Sequence, residues 1–188
     1  MEKIDLYDLN RNRLDRTAFR GDPIPEGCYR LVVHICVFNS RGEMLIQQRQ
    51  STKAVLPDKW DITAGGQVTA GETSSQSAER ELFEELGIKA DIEGHLPHIT
   101  MYFNEGFDDV YVLTKDIELS SLVLQPDEVR AARWADMDTV FGMIDTGEFI
   151  TYPKTYIRLL FALQNRNGEF DENKAFTETP KENDHSDG

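Results

Sequence analysis

The chain has 188 residues, 39% of them hydrophobic and 29% charged, with a formal net charge of −14. This is the composition of a soluble globular protein with enough chain for a sizeable core. The acidity argues against a general binder of nucleic acid polymers or anionic membranes, and the sequence contains no run of about 18 apolar residues that would cross a bilayer.

The opening residues MEKIDLYDLN are polar and acidic, unlike a secretory signal. Cys28 and Cys36 are the only cysteines, and Cys36 sits in an apolar run, so a buried reduced thiol and a cytoplasmic setting are expected.

In chain order, Ile4, Leu6 and Leu9, a turn at Asn10-Arg11-Asn12, and a segment with Leu14 and Phe19 predict a short hairpin. Pro23 and Pro25 make the next stretch a loop. Leu31 to Phe38 is a near-continuous apolar run, expected as a strand buried on both faces. His34 within it reads as a satisfied interior residue. A turn at Asn39 to Gly42 leads to a partner strand from Met44 to Gln48. Arg49, Lys53 and Lys59 lie in the basic stretch that follows, with Lys59 the weakest candidate for a ligand contact. Asp61 to Thr63 predicts a short strand into a flexible turn at Gly65-Gly66, where backbone can approach a ligand and a carbonyl such as that of Gly65 can complete a metal shell.

The next helix is well marked. Thr73 and Gln76 have the spacing of a capping box, and Gly87 supplies the stop. At about 100° per residue, Ala78, Leu82, Phe83 and Leu86 form an apolar arc, with Glu81, Glu84 and Glu85 beside it. Like charges at i,i+4 repel, so this edge calls for a solvated face, Arg80, or a divalent cation such as Mg²⁺, which takes carboxylate oxygens.

Beyond the helix, Lys89 to Glu93 and Leu96 to Phe103 are expected as strands. Asn104 to Asp109 reads as a polar turn, Val110 to Thr114 as a strand and Leu119 to Asp127 as a loop. Arg133 to Ala135 reads as the last strand. Asp136 caps a helix through Ile144, and Pro153 opens a final helix with Tyr156, Leu159, Leu160 and Phe161 on its buried side. Residues 165–188 read as a mobile acidic tail. The expectation is one domain over 1–164, with the N-terminal hairpin inside 1–27. Its fold class is α/β, a three-layer α/β/α sandwich around a mixed sheet.

Gly66, five residues, Glu72, seven residues, Arg80-Glu81-Leu82, Glu84-Glu85 and Gly87-Ile88 together resemble the signature of the Nudix hydrolases at every defining position. The resemblance implies the same sandwich and hydrolysis of a phosphoanhydride with Mg²⁺ or Mn²⁺. It makes Glu81 and Glu85 the main metal ligands, and Glu84 a ligand to a second metal or a holder of the geometry. Arg80 would orient Glu81, and Glu72 would brace the loop or ligate through water. Families of this type often take a general base from a loop outside the signature. Glu128 leads there, with Glu105, Asp108 and Asp109 as rivals.

The stretch from Leu31 to Gly66, with Arg49, Lys53, Pro57 and Trp60, also resembles the isopentenyl-diphosphate isomerase branch of that superfamily. That resemblance implies that Arg49 and Lys53 hold a diphosphate. The positions where the isomerase needs its cysteine and two histidines are Gly65, Gln67 and Arg30 here. The reading is therefore a hydrolase of a small nucleoside-linked, prenyl or coenzyme diphosphate. An isomerase-like enzyme and a non-catalytic nucleotide-binding module are the alternatives. Tyr102, Phe103 and Phe107 are open between stacking on a substrate and filling the core. A homodimer through the hairpin or the last helix is left open.

Overall fold

The computed structural model describes residues 2–164. Its central strand is the apolar run foreseen above, β3 (Arg30–Phe38), which follows β1 (Lys3–Tyr7) and β2 (Arg13–Phe19) in the chain. Val33, Ile35 and Val37 point into one core and Cys36 and Phe38 into the other, which is why polar residues are scarce along it. Later in the chain, β7 (Ile99–Phe103) and β8 (Gly106–Thr114) form a hairpin. β8 lies parallel to β3 from Arg30↔Gly106 to Phe38↔Thr114, and β7 lies outside it. On the other side of β3, β6 (Ala64–Gln67) pairs antiparallel, from Val32↔Gln67 to Ile35↔Ala64.

The strand after β3 diverges. β4 (Met44–Arg49) pairs with β3 only at Phe38↔Met44, then runs beside β5 (Trp60–Asp61) and β9 (Val129–Ala135). The fork between β3 and β4 is bridged by one side chain. The fully buried Thr63 hydroxyl accepts from the Val37 N–H at 2.8 Å and donates to the Leu45 carbonyl at 2.6 Å. Two backbone groups that the fork would orphan are thereby satisfied.

Helices cover both faces. α1 (Ser74–Leu86) packs Ala78, Leu82 and Leu86 against Val33, Ile35 and Leu45. α2 (Met137–Asp145) and α3 (Lys154–Leu163) pack Val140, Met143, Ile157 and Leu160 against Phe38, Met44 and Ile46. Each fully buried aliphatic side chain contributes about 1.5–3 kcal/mol relative to exposure. The result is the expected α/β/α sandwich with a mixed sheet.

The β1–β2 hairpin is a separate two-stranded sheet. Ile4 and Leu6 are buried, Tyr7 exchanges both backbone hydrogen bonds with Tyr29, and Arg11 pairs with Asp109 at 2.7 Å.

Several local expectations are corrected. Gly65-Gly66 is not a flexible turn but the middle of β6. Residues 89–93 form no strand, and the Glu79 carboxylate accepts from the Ile92 and Glu93 N–H groups instead. Asn104 to Asp109 is not one turn. The chain reverses at Asn104-Glu105, and Asp108 and Asp109 lie within β8, where His34 and Arg11 meet their charges. Phe83 and Leu159 are exposed, and Ile157 takes the buried place on α3. Phe107 is core, whereas Tyr102 is exposed. Both cysteines are buried free thiols. The tail foreseen at 165–188 lies outside the described residues.

Thr63→Val keeps the shape but removes both hydrogen bonds, so it should cost about 1–3 kcal/mol for the buried groups left unpaired. Urea unfolding measures this, and a variant as stable as wild type would contradict the bridging role. His34 gives a pH signature. Burial opposes charging its ring, but the Asp108 carboxylate, 2.9 Å from Nδ1, outweighs this and raises its pKa above 6.5. The pair therefore stabilises the fold fully below about pH 6.5, and that contribution is lost as pH rises through the higher folded value. His34→Gln should flatten this fall in a series of melting temperatures from acid to alkaline pH, and parallel curves would refute it.

Candidate active site

The site is built on the C-terminal half of α1 and the strand beneath it. The capping box forms as spaced. Gln76 N–H donates to Thr73 Oγ1 at 3.2 Å, and the Thr73 N–H donates to Gln76 Oε1 at 3.0 Å. Gly87 ends the helix at φ 71°, and its N–H donates to the Phe83 carbonyl. This frame turns Glu81 and Glu85 inward, where each is only 7% exposed. Of these two acids at i,i+4, Glu85 meets Gln47 of β4 and Glu81 is pressed against β6. The reason for glycine there is steric. A Cβ on Gly66 would lie 2.1 Å from Glu81 Oε1, and one on Gly65 would lie 2.5 Å from His34 Cδ2.

Arg80 organises the acidic cluster. Its Nε donates to Glu72 at 3.0 Å and its Nη1 to Glu81 at 2.9 Å and Glu84 at 3.2 Å. Its Nη2 donates to the Gln67 carbonyl at 3.1 Å. Burial alone would lower the pKa of this guanidinium, but Glu72 and Glu81 raise it overall. Burial likewise acts to raise Glu72, and its hydrogen bonds to Arg80 and Ser77 bring it below the ordinary carboxylate value.

Glu81 is pushed up by burial, which Arg80 offsets only in part. Glu85 is pushed up further, to about 8, by burial and by Glu81, with a single opposing hydrogen bond from Gln47 Nε2 at 2.7 Å. Glu85 is therefore a buried carboxyl near a second acid and, among the described residues, has no cationic partner of its own. Hard oxygen donors in that state fit a divalent cation such as Mg²⁺ or Mn²⁺. Among the described residues no three His, Cys, Asp or Glu side chains are already gathered as a metal cage, and Arg80 stands between Glu72, Glu81 and Glu84.

These groups line an open cleft of about 350 Å³, which Gly65 also borders. Arg49, Lys53 and Glu128 stand on its wall. The loop carrying Glu128 is tied to the end of α1, because the N–H groups of Val123 and Gln125 donate to the Leu86 and Glu85 carbonyls at 3.0 Å each. Those bonds satisfy two helix-end carbonyls and fix the loop over the site. Lys53 Nζ donates to Glu128 Oε2. Arg49 is held by the carbonyls of Leu56 and Val55, at 3.2 and 3.0 Å.

The rival acids are elsewhere. Glu105 pairs with Arg30 at the β7–β8 turn, and Asp108 and Asp109 are occupied within β8. Lys59 turns away and donates to the Gly147 carbonyl. Gly65 offers no thiol, and any side chain there meets His34.

Sequence reasoning missed Gln47, Gln125, Glu2 and Arg20, all of which touch Glu85 or the cleft wall. The available signal for Gln47 was a polar residue directly after the apolar run Met44-Leu45-Ile46. Glu2 and Arg20 gave none, since only the folding-back of the hairpin brings them here.

The NUDIX domain family model matches residues 29–157, more than half of the chain and downstream of the hairpin. An uncharacterized Nudix hydrolase of Listeria monocytogenes is 43% identical over 165 residues, covering 88% of this chain and 96% of that protein. An uncharacterized Nudix hydrolase of Pseudomonas aeruginosa is 40% identical over 132 residues, covering 70% and 75%. The crystal structure of a Deinococcus radiodurans protein aligns with a TM-score of 0.68 at 25% identity, covering 88% of this chain and all of that one. A MutT protein structure from Methanosarcina mazei, at 24% identity and a TM-score of 0.52 over 75% of this chain and 96% of its own, shares the fold. With its glutamate helix, its glycine strand and these relatives, the chain belongs to the Nudix hydrolase family.

Proposed function

We propose that this chain uses Mg²⁺ or Mn²⁺ to hydrolyse a phosphoanhydride bond in a small substrate, a nucleoside-diphosphate derivative or a related diphosphate. The observation that carries this reading is the buried, under-compensated pair Glu81 and Glu85 in a cleft whose wall holds Arg49 and Lys53. A divalent cation held by Glu81 and Glu85, with Glu84 and the Gly65 carbonyl at its margin, would neutralise phosphate charge and polarise the bond to be broken.

The protein's own groups supply the rest. Arg80 keeps the Glu81 carboxylate aimed into the cleft and Glu72 braces the arginine from the loop side. Arg49 and Lys53 hold the diphosphate by charge-assisted hydrogen bonds. An anionic phosphate competes for the Lys53 ammonium and releases Glu128. Water then attacks phosphorus, the anhydride P–O bond breaks, and the water proton goes to the Glu128 carboxylate. A small-molecule partner, a cytoplasmic setting and a homodimer through the hairpin or α3 accompany this reading as expectations from the sequence.

Glu85→Gln should lower phosphate or pyrophosphate release by about 10²–10⁴-fold across a panel of nucleoside and prenyl diphosphates. Its melting temperature in chelator should stay level below about pH 8 and rise above it, where the buried carboxyl that it replaces ionises. Turnover like that of wild type would end the proposal. Glu128→Gln should slow release by about 10²-fold or more while cation binding persists. Unchanged turnover in that variant would take the base role from Glu128.

A further inference from the structure

The open end of the N-terminal hairpin forms part of the cleft wall. Glu2 and Arg20 face each other across the β1–β2 pair, where the Arg20 N–H donates to the Glu2 carbonyl at 2.9 Å. This end is fixed in place. The Ala70 N–H donates to the Lys3 carbonyl at 2.8 Å and the Gly71 N–H to Asp5 Oδ2 at 2.8 Å. Glu2 Oε1 accepts from Thr69 Oγ1 at 2.8 Å. The same Thr69 oxygen accepts from Arg80 Nη2 at 3.2 Å, so the hairpin end and the glutamate helix share one support.

The cations of the cleft differ in their commitments. Arg80 is bound by three glutamates, Lys53 pairs with Glu128, and Arg49 donates to two backbone carbonyls with Asp61 3.9 Å away. Arg20 has, among the described residues, a single ionic partner. That partner is Glu2 at 3.1 Å, and the Arg20 side chain is 53% exposed. An ion pair whose guanidinium is this open to water is weakly held, so Arg20 exchanges partners at small cost. A guanidinium presents a planar fork that suits phosphate oxygens.

We propose that Arg20 is a substrate-binding residue that takes a phosphate of the substrate from the hairpin side of the cleft, with Glu2 as the carboxylate that this phosphate displaces. This rests on the diphosphate reading above. It adds that the site grips its substrate from two elements, the Arg49–Lys53 wall and the hairpin, and so favours substrates with a charged phosphate reaching the hairpin. Glu2 acts as a stand-in anion, holding the guanidinium over the cleft until the phosphate arrives.

The test is calorimetric binding of inorganic pyrophosphate, in the presence of Mg²⁺, to the full chain and its variants. Arg20→Gln should weaken binding by about 5- to 20-fold, and Glu2→Gln should tighten it by about 2- to 5-fold because the guanidinium is freed. The double variant should behave as Arg20→Gln alone. A gain in the Glu2 variant cannot come from misfolding. Lys53→Gln separates the two claims. Binding that depends on Lys53 but is unmoved by Arg20→Gln and Glu2→Gln overturns the role of Arg20 and leaves the diphosphate reading standing. A wild-type chain that does not bind pyrophosphate removes both.

Discussion

The structure depends on a pair of carboxylates pressed out of water. Glu81 and Glu85 sit one helical turn apart on the inner edge of α1, and the helix cannot pack Ala78, Leu82 and Leu86 into the core without carrying them down onto the sheet, Glu81 over β6 and Glu85 beside Gln47 of β4. Taking an ionised carboxylate from water costs several kcal/mol unless a partner repays it. For Glu81 the repayment is Arg80, itself spread over Glu72, Glu84 and a backbone carbonyl. For Glu85 it is one neutral hydrogen bond from Gln47, and burial accordingly moves that carboxyl to about 8. A fold that retains this arrangement holds a buried acid that ionises only at a cost, and a divalent cation placed beside it would remove that cost.

Other features of the architecture follow from making room for that pair. β6 holds two glycines because Glu81 lies over one and His34 beside the other. β3 and β4 part after a single residue pair, which lets Gln47 reach Glu85, and Thr63 closes the fork behind them. The loop before β9 satisfies the carbonyls at the end of α1 and brings Glu128 over the cleft in the same step. The hairpin closes the remaining side. Stability and chemistry therefore share parts: the bonds that cap the helix and bridge the strands also set the positions of the groups that would meet a substrate.

Much of this was legible along the chain, and the misses share a cause. The helix of the site announced itself through Thr73, Gln76 and Gly87, whose signals are local and were obeyed. Arg49, Lys53 and Glu128 stood out as charges flanking it and do line the cleft. Asp108 and Asp109 looked like turn residues because their polarity is local, while the His34 and Arg11 that let them sit in a buried strand are distant in sequence. Gly65-Gly66 reads as a flexible turn, because a glycine demanded by a neighbour's close approach is spelled the same as one demanded by a turn. Phe83 and Leu159 were placed inside because helical periodicity gives an arc, not which rim of it the sheet covers. Glu2 and Arg20 carry no pattern at all and gain meaning only from tertiary structure.

The proposed hydrolysis rests on a divalent cation held jointly by Glu81 and Glu85. Calorimetric titration of Mn²⁺ into the wild-type chain and into the Glu81→Gln, Glu85→Gln double variant tests it most directly. The account requires saturable uptake by wild type that is lost, or weakened by at least about 100-fold, in the double variant while the fold is retained. Equal uptake by both chains would contradict it.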